Sequence, residues 1–121
     1  MALFFMPDSL FANEVTIVKA HAVKEASNLV GGGRSFTFLV TLRHNDTGWK
    51  HYANRWEIWT PDNKLKLGAR VLAHPHVNEQ PFTRSLQRVT IPLGIKDVLI
   101  KAGDTVHGIS STSLLIKLPA Q

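Results

Sequence analysis

The sequence predicts an all-β fold: a single immunoglobulin- or fibronectin-III-like sandwich of two sheets and about seven antiparallel strands. Two observations lead there. Phe36, Phe38, Val40 and Leu42 alternate with Ser35, Thr37, Thr41 and Arg43, which is the two-residue period of a strand buried on one face. Turn-forming clusters recur between such stretches at Gly31-Gly32-Gly33, Asn45-Asp46-Thr47-Gly48, Pro61-Asp62-Asn63, Pro92-Leu93-Gly94 and Ser110-Ser111-Thr112-Ser113. They leave no room for a helix longer than about two turns.

In chain order the expected strands cover residues 15–23, 35–43, 55–59, 69–74, 86–91, 98–102 and 114–118. The second, third, sixth and seventh alternate most clearly. Trp56 on the third strand is expected in the core, with Phe36, Phe38, Ile58, Ile100 and Ile116 completing the inner layer. Trp59 has the opposite parity and should lie on an outer face or under a loop.

A chain of 121 residues suits one domain able to bury its own core, read here as residues 13–121. The absence of cysteine excludes disulfide scaffolds, thiolate zinc sites and cysteine nucleophiles. The formal charge is +5, but the 14 Lys and Arg are scattered along the chain, as on solvated strand faces, and form no nucleic-acid footprint. No apolar stretch is long enough to span a membrane as a helix. The segment 1–12 contains Ala2-Leu3-Phe4-Phe5-Met6 and ends in Ser9-Leu10-Phe11-Ala12, like the end of a secretory signal. It is read as the remnant of such a signal, which places the mature chain in the periplasm or outside the cell. The alternative is an apolar N-terminal arm packed on a cytoplasmic domain.

Strand direction turns this layout into a prediction about chemistry. Successive strands run up and down, so the connections after the second, fourth and sixth strands emerge at one pole. His51 lies on the first of these, His74, His76 and Glu79 at the next, and His107 on the last. His44, ending the second strand, points to the same pole, whereas His21 belongs toward the other. His74 and His76 are two residues apart, so both imidazoles can face one way. Neutral imidazole suits Zn or Cu, and His51, His74, His76 and His107, with Glu79 as a direct ligand or orienting partner, make a chemically ordinary ligand set. The competing reading is a structural hydrogen-bond cluster.

The segments Trp49-Lys50-His51-Tyr52-Ala53, His74-Pro75-His76-Val77-Asn78-Glu79-Gln80-Pro81-Phe82-Thr83-Arg84 and Val106-His107-Gly108 resemble those of an uncharacterised family of small exported bacterial β-sandwich proteins. The resemblance covers most of residues 14–119 and implies the sandwich fold and export, without implying an activity. An enzyme is not expected: the chain has no Gly-x-Ser-x-Gly elbow, phosphate loop, His-Glu-x-x-His helix or dinucleotide fingerprint. The alternative to a metal site is a non-enzymatic interaction module, in which Trp49, Tyr52, Phe82 and Arg84 form an aromatic and basic patch for a protein or glycan partner.

Overall fold

The computed structural model describes residues 13–25 and 33–120. The segment 1–12, read above as a signal remnant or arm, lies outside the described residues. Among those residues there are eight strands and no helix: β1 (Thr16–Lys24), β2 (Arg34–Arg43), β3 (Ala53–Trp59), β4 (Lys66–Val71), β5 (Phe82–Ile91), β6 (Asp97–Asp104), β7 (Gly108–Ile109) and β8 (Leu114–Lys117). They form two antiparallel sheets, one ordered β1-β2-β5, the other β4-β3-β6-β7 with β8 also on β6.

The strand count exceeds the expected seven because the last strand is split. β7 pairs with Gly103 and Asp104, and β8 pairs with the 97–100 stretch of the same strand, on the side away from β3. The serine-threonine run at 110–113 interrupts the ladder between them. Three other boundaries also move. β4 stops at Val71, short of His74; β5 begins at Phe82; and β6 continues to Asp104. The early part of β5 is hidden in the sequence because a charged residue, Arg84, stands at the inward parity between Phe82 and Leu86, and a bulge then shifts that parity. Phe36 and Phe38 oppose Val89 and Leu86, leaving an extra residue on β5, and Arg88 takes a positive φ of 57° there. The Arg88 amide donates to the Glu25 carboxylate, which also accepts hydrogen bonds from the Ser35 and Thr37 hydroxyls. These hydroxyls, more than any nearby charge, hold the Glu25 pKa below its usual value.

The core lies between the sheets. Phe36, Phe38, Val40 and Leu42 of β2 are wholly buried, as are Trp56 and Ile58 of β3 and Val98, Ile100 and Ala102 of β6. Ile116 is half-buried against them. On the outer face of the second sheet Trp59 has the parity expected. Its indole N–H donates to Glu57 at 2.8 Å, and the Lys101 ammonium sits 4.4 Å from its ring centroid.

Strand pairing brings the start of β1, the end of β2, the start of β3, the end of β4, the start of β5 and the end of β6 to one pole. Two glycines shape it. A Cβ on Gly103 would meet the Gly108 carbonyl at 2.8 Å, so only glycine lets β7 approach β6 this closely. Gly108 itself has φ of 70°, which closes the turn through His107. Gly103→Ala is expected to weaken this corner, measured as faster amide exchange at residues 105–109 than in the parent chain.

Candidate functional site

Asp104 and Asp46, two buried carboxylates, organise the histidine pole. Asp104, only 1% exposed at the end of β6, accepts the backbone N–H groups of Val106 and His107 at 2.8 Å each, and so builds the turn that presents the His107 ring. His107 Nδ1 lies 3.1 Å from both Asp104 oxygens. Burial raises the Asp104 pKa, but the His107 and Val106 amides and the His107 ring outweigh it, so the carboxyl titrates below its ordinary value. It is held ionised inside the protein.

The loop carrying His51 is tied to this turn by Thr105. Its hydroxyl accepts the Tyr52 N–H at 3.1 Å and donates to the Lys50 carbonyl at 3.0 Å, while its own N–H reaches the Tyr52 carbonyl at 3.0 Å. His51 Nε2 consequently lies 3.1 Å from Asp104 Oδ1. Yet that buried nitrogen has no hydrogen-bond partner among the described residues. The two atoms are close without pointing at each other.

His44 approaches from the end of β2. Asp46 Oδ1 accepts His44 Nδ1–H at 2.5 Å and the Ala53 amide at 2.9 Å, and Asp46 Oδ2 accepts the His76 amide at 2.7 Å. One carboxylate thus joins the end of β2, the start of β3 and the β4–β5 connection, and fixes the orientation of the His44 ring. The other ring nitrogen, Nε2, donates to the Asn13 carbonyl and sits 3.9 Å from Asp104 Oδ2. His44, His51 and Asp104 each offer an atom within 4.8 Å of the others. Asp46→Ala removes an acceptor of three buried donors and is expected to cost about 2–3 kcal/mol, checked by urea denaturation.

His74 and His76 form a second group beside the first, with ring centroids 4.6 Å apart. His76 is buried, stacked on Phe82 at 3.9 Å, and its Nε2 accepts a hydrogen bond from Arg84 Nη2 at 2.8 Å. His74 is exposed and its Nδ1–H donates to the Pro75 carbonyl at 2.9 Å. Glu79, its side chain 70% exposed, lies 3.5 Å from Arg84. Gln80 clamps the connection, accepting the His44 amide at 3.0 Å and donating to the His76 carbonyl at 2.9 Å. His21 is exposed in mid-β1, away from both groups.

Burial, then the charge of Arg84 and the neighbouring His74, push the His76 pKa below its ordinary 6.5. The folded state resists a proton that the unfolded chain accepts. This contribution to stability is full above about pH 6.5 and is lost as pH falls toward the lower folded value. His76→Gln should therefore lose less stability than the parent between about pH 6.5 and 5 in thermal melts. Equal losses would remove His76 as a source of the pH dependence.

Of the residues nominated from sequence, His51 and His107 meet at Asp104, while His74, His76 and Glu79 lie in the adjoining group. Trp49 is 68% exposed and packs edge-on against Tyr52, whereas Phe82 is buried beneath His76 and Arg84 is engaged with His76 and Glu79. Sequence reasoning passed over Asp46 and Asp104 and did not nominate His44 as a ligand. The signals were His-x-Asp at 44–46 and Asp-x-x-His at 104–107, short spacings at which a carboxylate can hold a nearby imidazole or its amide.

No family model matches the chain, and no solved structure matches it significantly. Over 109 residues it is 32% identical to a candidate lipoprotein of Halomicrobium mukohataei, an alignment covering 90% of this chain and 52% of that protein. The chain spans about half the length of this relative, to which nearly all of its own sandwich is similar.

Proposed function

We propose that this is an exported, non-enzymatic β-sandwich module that binds Zn²⁺ or Cu²⁺ through His44, His51 and Asp104. The observation that carries the reading is the His51 nitrogen, buried without a hydrogen-bond partner among the described residues, 3.1 Å from an ionised carboxylate oxygen. Ligands of one tetrahedral ion sit about 3.3 Å apart and aim at the ion, not at each other, given bonds of about 2.0–2.1 Å. His44 Nε2, hydrogen-bonded to the Asn13 carbonyl, lies 3.9 Å from Asp104 Oδ2 and would exchange that partner for the ion. In this reading Asp46 orients His44 and His107 orients Asp104. His74, His76 and Glu79 hold no ion. Export rests on the apolar segment 1–12 and on the lipoprotein name of the relative.

Elemental analysis of untagged protein is expected to find bound Zn or Cu near one equivalent, lost in His51→Ala and kept in His74→Ala with His76→Ala. Metal kept in His51→Ala overturns the ligand assignment. A second reading draws on the same contacts around His44. There His44 is structural, its two ring nitrogens bonded to Asp46 and to the Asn13 carbonyl. Metal-free protein with unchanged melting on Zn²⁺ or Cu²⁺ addition would establish that reading. The exposed Trp49 would then be the strongest element of a partner-binding surface at this pole.

A further inference from the structure

The opposite pole carries a cavity of about 480 Å³ between the start of β2, the β5–β6 turn and the end of β8. Its walls include Arg34, Ile95, Lys96, Lys117, Leu118 and Pro119. None of these residues belongs to the histidine pole. The Leu118 amide donates to the Lys96 carbonyl at 2.8 Å, which ties the two basic walls together.

Arg34 is the unusual member. Its side chain is nearly enclosed, the residue being 8% exposed, and it cannot shed its proton. One nitrogen, Nη2, donates to the Ile95 carbonyl; Nε is buried without a partner among the described residues; and the guanidinium carbon lies 5.5 Å from the Phe36 ring centroid. A carbonyl dipole and a ring face do not neutralise a full charge. Among the described residues no carboxylate lies within ion-pair distance of Arg34, Lys96 or Lys117. A buried cation left uncompensated is costly, and here it borders a cavity with two further cations.

We propose that this cavity binds a small organic carboxylate. Its headgroup would pair with Arg34, Lys96 and Lys117, and an apolar body would rest on Ile95, Leu118 and Pro119. A guanidinium favours planar carboxylate over a point charge, and the apolar wall favours an anion with a hydrocarbon part over a bare inorganic one.

The test titrates benzoate, hexanoate, benzamide and inorganic phosphate into isotope-labelled protein and follows amide shifts. Benzoate and hexanoate are expected to saturate shifts at residues 94–96, 117 and 118, with a Kd of about 1 mM or tighter. Phosphate and the neutral benzamide should bind at least about tenfold more weakly. Arg34→Gln should abolish binding, and because that variant can lose the fold, the exposed Lys96→Glu and Lys117→Glu provide the second arm. Each should weaken benzoate by about tenfold with melting unchanged. Three results would overturn the proposal: shifts that stay linear with concentration, equal binding of benzamide, or benzoate binding unaffected by both lysine reversals.

Discussion

Trp56→Ala is expected to destabilise the protein by about 3–5 kcal/mol, the range for removing a large aromatic side chain from a packed core. Trp56 is 0% exposed on β3, at the centre of the second sheet, where its strand neighbours across the ladders are Ala102 and Arg70. The side chain fills the space between the sheets left by the small Ala102. Its loss leaves a cavity walled by rigid strands, which collapse less readily than a loop. The indole N–H has no hydrogen-bond partner among the described residues, so Trp56→Phe gives up apolar volume but also removes an unsatisfied donor. That substitution should cost clearly less than alanine. Urea denaturation with a common m-value checks both, and a near-native alanine variant would place Trp56 outside the core.

The second large effect is stabilisation by metal. An ion that binds only the folded state adds RT ln(1 + [L]/Kd), about 4 kcal/mol at a thousandfold excess of free metal over Kd. Addition of Zn²⁺ or Cu²⁺ should therefore raise the melting temperature by many degrees, rising with the logarithm of concentration. His51→Ala should abolish the gain, whereas His74→Ala with His76→Ala should keep it. Imidazole binds metal only when neutral, so the gain should fade below about pH 6. A gain that survives His51→Ala but disappears with the 74/76 pair would move the ligand set to the neighbouring histidine group.

Much of the fold was legible because strand parity is a local property. Residues two apart share a face whatever surrounds them, so the inward set from Phe36 to Leu42, the buried Trp56 and the outward Trp59 followed from spacing alone. Alternation failed where tertiary structure bends it. The inward Arg84 hid the first half of β5, the bulge at Arg88 shifted parity after it, and the two-residue β7 was too short to carry a pattern. The gathering of histidines at one pole was also legible, because up-and-down strand order decides which connections meet.

The ligand set was not legible. Side chains on connections point where long-range contacts hold them, and Asp46 aims His44 only because the Ala53 and His76 amides, distant in sequence, fix its carboxylate. Asp104 reads in sequence as two residues past a strand end; the fold makes it the buried charge on which His51 and His107 converge. The basic cavity has the same origin, since Arg34, Lys96 and Lys117 look like scattered surface charge until β2, β6 and β8 end at one pole. The sequence by itself determined the strands, their faces and the pole where the histidines gather. Only the tertiary structure decided which atoms meet there, because a side chain's direction on a loop is set by hydrogen bonds to residues far along the chain.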